Sequence, residues 1–278
     1  MYNVGFMQGR LSEVIDGKIQ AFPWRFWQEE FRQAREIEIA LMEWTLDQDD
    51  LYKNPFMTAE GQKAIIRLSE ENGLKIPSLT GDCFMQAPFW KSAPDNRKSL
   101  IDDFNAVVRA CGSLNVQIVV VPLVDNGALT SEKEERYLID VLAEHEPIFV
   151  ANGVKVAFES DFAPIALERF IGKMNPNIFG INYDIGNSAA LGFNINEEFL
   201  SYGYRILNVH IKDRPLGGTT VALGEGNADF ETVFANLSEC GYKGNYILQT
   251  ARDASGQHSE VIKHYLDMTI NWIAEYES

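Results

Sequence analysis

Cysteine is scarce in this 278-residue chain, with only Cys83, Cys111 and Cys240. Three thiols so far apart exclude a disulfide framework and a cysteine-based zinc cluster. They read as buried thiols of a protein kept in a reducing, cytoplasmic compartment. Histidine is nearly as rare: His145, His210, His258 and His264 are the only four. Long apolar runs are missing too. The longest, "VQIVVVPLV" at 116–124, falls far short of the ~20 residues needed to span a bilayer, and the opening "MYNVGFM" has no basic region of an export signal. Positive charge is in short supply, with 24 Lys and Arg against 40 Asp and Glu and a net charge of −16. No basic run interrupts that excess, so the field repels phosphate backbones and anionic membrane surfaces, and neither nucleic acid nor membrane is expected as a partner.

Two further absences bear on the fold. No Pro/Gly/Ser-rich linker divides the chain, which predicts one domain over residues 1–278. The segment after the first apolar run, "MQGRLSEVIDG", lacks the glycine fingerprint of a doubly wound dinucleotide-binding sheet.

What is present is alternation. Short apolar, β-branched runs recur at Tyr2–Met7, Ile39–Leu46, Lys75–Gly81, Val116–Leu123, Val154–Ser160, Ile178–Asp184, Ile206–Asp213 and Asn245–Thr250. Helix-length segments with apolar residues three and four apart separate most of them, such as "AEGQKAIIRLSEENG" and "EERYLIDVLAEHEPIFVANG", both stopping at Gly after Asn. Strands alternating with helices imply parallel pairing. Eight such units in a chain of this length predict an α/β protein of the (β/α)8 TIM-barrel class.

Strand parity then points to a site. In "VKVAFES", Val154, Val156 and Phe158 share one face while Lys155, Ala157 and Glu159 share the other. "IFGINYD" sets Gly180, Asn182 and Asp184 against Phe179, Ile181 and Tyr183. "ILNVHIKD" sets Asn208, His210 and Lys212 against Leu207, Val209 and Ile211, and "NYILQT" ends with Gln249 on the polar face. In a barrel the apolar parity meets the helices, so Glu159, Asp184, His210 and Gln249 are expected to converge at the carboxyl-terminal mouth, where barrel enzymes do chemistry. Two carboxylates, an imidazole and an amide oxygen suit one divalent metal ion, Mn2+, Mg2+, Co2+ or Zn2+.

The segments "FES", "NYDIGN", "VHIKD" and "LGEGNADF" resemble the xylose-isomerase-like TIM-barrel superfamily of sugar and sugar-phosphate isomerases and epimerases, over essentially the whole chain. The resemblance implies carbohydrate metabolism and a small-molecule sugar or sugar-phosphate partner. It implies a metal held by a strand-5 Glu, strand-6 Asp, strand-7 His and strand-8 Glu, with the two Glu residues acting as acid and base. The first three fall on Glu159, Asp184 and His210. The fourth falls on Gln249, which can offer a carbonyl oxygen but cannot exchange a proton. That departure weakens a two-base epimerisation and leaves Glu159 as the base. It also keeps open a keto-sugar or cyclitol dehydratase, and a barrel that binds sugar without turning it over. The superfamily's DNA-repair endonucleases need several histidines around three metals, which this chain does not supply.

Further residues are candidates on the same footing. Lys212 faces the cavity and is expected to hold a substrate oxygen or phosphate, the alternative being an ion pair with Asp213. Glu43 is expected to contact substrate or else to pair with a barrel lysine such as Lys155, with Trp44 beside it covering the mouth. Phe84, in "GDCFMQAPFW", is a candidate sugar wall or a helix-packing residue. The long first loop, "QGRLSEVIDGKIQAFPW", reads as a lid carrying Arg10 towards an anionic substrate, or as a staple for the next helix. Arg214 and Asn187 are candidate substrate contacts, and Asp229 is placed as a helix cap. Assembly into a homo-oligomer stays open.

Overall fold

A computed structural model describes residues 2–15, 17–253 and 255–276. Eight parallel strands close on one another in chain order to form a barrel. They are β1 (Val4–Met7), β2 (Leu41–Thr45), β3 (Lys75–Thr80), β4 (Ile118–Leu123), β5 (Lys155–Ser160), β6 (Phe179–Asp184), β7 (Ile206–Ile211) and β8 (Asn245–Leu248). The principal outer helices are α1 (Glu29–Glu36), α2 (Ala59–Asn72), α3 (Asp82–Gln86), α4 (Pro94–Ser113), α5 (Glu132–Asn152), α6 (Pro164–Ile171), α7 (Ile185–Leu191), α8 (Ile195–Tyr202), α9 (Phe230–Glu239) and α10 (His258–Tyr276). None of the described helices is long and apolar enough to cross a membrane.

The helices start and stop where the sequence says. Thr58, Ser131 and Asp229 each accept a backbone N–H at the first turn of α2, α5 and α9. Gly73 and Gly153 end α2 and α5 in the left-handed region, at φ 68° and 65°, which glycine adopts without a Cβ penalty.

The apolar parity of each strand is buried under the helices, as with Val156 and Phe158 of β5 and Phe179 and Ile181 of β6. The barrel interior is stratified. Its floor is a small apolar plug of Ile118, Val120 and Ala157 with Leu207 packed against it. Leu207 corrects the simple alternation. The β6–β7 register slips between the pairs Ile181–Ile206 and Asn182–Asn208, so Leu207 turns inward before Asn208 and His210 do. Gly180 makes room for it: a Cβ there would lie 2.5 Å from the Leu207 side chain and 2.5 Å from the Arg205 carbonyl oxygen.

Above the plug the interior is polar and buried, with Glu43, Ser78, Asn182, Asn208 and His210 all at 2% exposure or less. Cys83 and Cys111 are buried, whereas Cys240, at the end of α9, is exposed. Its helix terminus faces solvent, so the expectation of three buried thiols fails there.

Candidate active site at the mouth of the barrel

Glu43 anchors the polar layer. β2 directs it inward, where it accepts from Ser78 Oγ (2.7 Å), Thr80 Oγ1 and Asn208 Nδ2 (2.9 Å). Its Oε1 lies 2.7 Å from His210 Nε2. Burial alone would raise the Glu43 pKa, but the His210 charge and these donors hold it lowered. Its protein partners do not include Lys155, which is exposed at the far end of β5.

His210 is fully buried and has two faces. Nε2 is fixed by Glu43, which leaves Nδ1 towards Glu159 Oε2 (3.2 Å) and Asp184 Oδ2 (3.9 Å). Burial would depress the imidazole pKa, yet Glu43 and Glu159 push it up to about 10. Ligand atoms of Glu159, Asp184 and His210 lie within 4.8 Å of one another. Two carboxylates and an imidazole nitrogen make a donor set suited to a divalent cation. The Glu43 contact fixes the ring orientation and, with a cation on Nδ1, would keep the proton on Nε2, as outer-shell carboxylates do around metal-bound histidine.

Glu159 is held on both oxygens, Oε1 by Asn187 Nδ2 (2.7 Å) and Oε2 by Asn182 Nδ2 (2.9 Å). Burial opposes its ionisation, but His210, Lys212 and Asn182 together keep its pKa lowered. Asp184 is pushed the other way: burial and the Glu159 charge raise it against the pull of Lys212. Lys212 Nζ donates to Asp184 Oδ2 (3.1 Å), Asn187 Oδ1 (3.1 Å) and Gln249 Oε1 (3.2 Å). Gln249 is therefore turned to Lys212, and through Nε2 to Gln20 Oε1 (3.0 Å). The Lys212–Asp213 rim pair does not form, because Asp213 is buried and accepts from the backbone N–H groups of Gly224 (2.8 Å), Gly226 (2.9 Å) and Ala228 (3.0 Å).

A cavity of about 490 Å3 opens above these groups, lined by Glu159, Asn187, Lys212, Arg214 and Gln249 among the expected residues. Arg214 gives Nη1 to Asn187 Oδ1 (2.7 Å) and Nε and Nη2 to the Gly218 carbonyl. Asn187 Oδ1 thus accepts from both Lys212 and Arg214 while its Nδ2 donates to Glu159.

Three expected contacts stand outside the cavity. Trp44 lies on the outward parity of β2 and packs with Phe22, Trp27 and Phe56, its Nε1 donating to Asn54. Phe84 packs on Phe104 beneath α4, with ring centroids 4.7 Å apart. Arg10 is buried, its guanidinium bonded to the Thr250 and Ile19 carbonyls and to Gln20 Oε1. It pins the first loop, whose other end is clamped by Glu30 through Gly9 N, Leu11 N and Ser12 Oγ. That loop contributes Ile19 and Gln20 to the cavity.

Among the cavity residues that went unforeseen are Gln20 and Asp82. Asp82 was legible, since Ser78, Thr80 and Asp82 share one parity at the end of β3. Gln20 sits in an irregular loop that gives no periodic signal.

Several known proteins are similar to this chain over most of its length. L-ribulose-5-phosphate 3-epimerase UlaE of Shigella boydii is 23% identical over 246 residues, covering 85% of this chain and 87% of its own. The D-psicose 3-epimerase of Clostridium cellulolyticum H10, solved with D-tagatose, superposes with a TM-score of 0.76 at 13% identity over 98% of this chain and 99% of its own. The IolI protein with a bound zinc atom gives 0.77 at 18% identity over 99% of both chains. At such identities the two structures establish the shared fold. Residues 31–272 match the xylose isomerase-like TIM-barrel family, and the chain belongs to it.

Proposed function

We propose that this protein is a sugar or sugar-phosphate isomerase or epimerase in which Glu159 removes a proton from the carbon beside a substrate carbonyl. The observation that carries this reading is Glu159 itself: a buried carboxylate lining the mouth cavity, fixed by two amides and held ionised. An ionised, immobile carboxylate beside a roomy polar cavity is what a general base requires. The epimerase relatives and the bound zinc of a structural neighbour lend the reading further support.

Glu159, Asp184 and His210 fit a divalent cation and would hold it. Such an ion supplies Lewis acidity to a carbonyl and its neighbouring hydroxyl. Lys212 gives the cavity a second positive centre, 3.1 Å from Asp184, and orients a substrate oxygen by hydrogen bonding. Arg214 extends the positive side towards the rim, where a phosphate or a hydroxyl can be met. The acidic pair Glu159 and Asp184 is thus balanced by Lys212 and the protonated or cation-bound His210.

Incubation in D2O with ketopentoses and ketohexoses, free and phosphorylated, tests the proposal. L-ribulose 5-phosphate and D-tagatose belong in that panel. Deuterium is expected at the carbon next to the carbonyl, and Glu159→Gln is expected to remove at least 99% of that uptake. Uptake that survives Glu159→Gln would refute Glu159 as the base. Gln249, an amide where a second carboxylate would permit symmetrical proton exchange, favours dehydration as the second reading. Loss of 18 mass units from the product would identify it.

A further inference from the structure

Among the described residues, four carboxylates line the mouth cavity: Asp82, Asp125, Glu159 and Asp161. Asp125 and Asp161 are exposed, whereas Asp82 and Glu159 are buried at 8% and 7% exposure. Asp82 follows β3 on the inward parity and opens α3. Its Oδ2 accepts from Gln20 Nε2 at 2.6 Å. Gln20 Oε1 accepts from Gln249 Nε2 at 3.0 Å, and Gln249 Oε1 from Lys212 Nζ at 3.2 Å. A hydrogen-bonded chain therefore crosses the mouth from Lys212 to Asp82. The amide at 249 can transmit that chain but cannot carry a proton. Two side chains further along, beyond Gln20, stands a carboxyl that can.

We propose that Asp82 is the second proton carrier of this site, the acid that returns a proton to substrate carbon after Glu159 has taken one. The inference rests on the function proposed above. In the first step the C–H bond breaks, its electron pair enters the enediol system, and an O–H bond forms on Glu159. In the second step the Asp82 O–H bond breaks, the enediol electron pair forms a new C–H bond, and Asp82 is left as carboxylate. Exchange with water at the open mouth resets both groups, so the cycle is balanced.

The surroundings of Asp82 suit an acid. Burial raises its pKa, and the charges of Asp47 and Glu159 add to that. The Gln20 hydrogen bond and the Arg10 charge oppose them, leaving it at about 7. Cys83, its neighbour in α3, is held neutral by its own burial. A proton is thus available on Asp82 near neutral pH.

The test uses the full chain in D2O with the same ketose panel, comparing wild type, Asp82→Asn, Asp82→Glu and Glu159→Gln, with folding followed by circular dichroism. The expected result is that Asp82→Asn still exchanges the substrate proton through Glu159 but forms epimeric or isomeric product at least 100-fold more slowly. Asp82→Glu is expected to recover part of that loss. Product formation by Asp82→Asn at the wild-type rate overturns the role of Asp82 and leaves the proposed function standing. Loss of exchange as well as product in a folded Asp82→Asn also overturns it, because the first step does not need this residue. A wild type that exchanges no proton from any ketose overturns the proposed function, and this inference with it.

Discussion

Replacing Glu43 by Gln removes one charge and almost no volume, so it isolates the electrostatic contribution of the buried layer. In the wild type that carboxylate accepts from Ser78, Thr80, Asn208 and His210, and it is fully buried. The amide keeps one acceptor oxygen and turns an NH2 group towards donors, so at least one of the four contacts becomes donor against donor. His210 loses the charge that does most to keep it protonated. Breaking a buried ion pair by removing one partner costs about 3–5 kcal/mol. For a chain of this size, at roughly 2 °C per kcal/mol, the melting temperature should fall by about 6–10 °C. Differential scanning fluorimetry at pH 7 without added metal measures it. A fall below ~2 °C would show that the layer is not held by the Glu43–His210 pair, and the tautomer argument for Nδ1 would go with it.

Two further outcomes follow from the same contacts. The His210 pKa lies at about 10 against an ordinary 6.5. Its raised value contributes stability that is fully present below pH 6.5 and is lost as pH rises through 10. In metal-free protein, chemical denaturation between pH 7 and 10 should therefore show a steeper decline for wild type than for His210→Gln, and equal slopes would contradict the assignment. Asp213→Ala deprives the backbone N–H groups of Gly224, Gly226 and Ala228 of their shared acceptor. It should cost about 2–4 kcal/mol and raise hydrogen exchange across 214–228, and protection unchanged there would refute its role as the clamp of that loop.

The fold was legible because each unit is written twice. Strand runs give a two-residue period, and the intervening helices carry their own caps, as at Ser131 and Gly153 of α5. The inward parity of Glu159, Asp184 and His210 could likewise be read locally, since each side chain is aimed by its own strand. What could not be read is whom an inward residue meets. Glu43 and His210 are 167 positions apart, and their contact exists only because the barrel closes. Leu207 broke the alternation because a register slip is a property of two strands together. Arg10 and Trp44 were misplaced for different reasons. The position of Arg10 is decided by an irregular loop and by the carbonyl of Thr250, whereas Trp44 follows the outward parity that its neighbour Glu43 already implied.

The strongest check on the relation between Gln249 and Asp82 is to put a carboxylate back. Gln249→Glu keeps an oxygen facing Lys212 at the present 3.2 Å separation and turns an ammonium-to-amide hydrogen bond into an ion pair. On its other side it loses the N–H that Gln20 Oε1 accepts at 3.0 Å. Rotation of the Gln20 amide relieves the resulting contact at the expense of the long Arg10 Nη2 bond to its Oε1, 3.4 Å. That turns its oxygen towards Asp82 Oδ2, a 2.6 Å neighbour, which then holds a proton more firmly. The substitution also supplies a third carboxylate beside Glu159 and Asp184, in a donor set completed by His210. Mn2+ affinity measured by calorimetry should rise by an order of magnitude or more, equivalent to ~1.4 kcal/mol. If Asp82 does the proton work that an amide at 249 cannot, the second substitution should restore product formation to Asp82→Asn while adding little to the wild type. A double variant no faster than Asp82→Asn alone would mean that the two positions serve different ends.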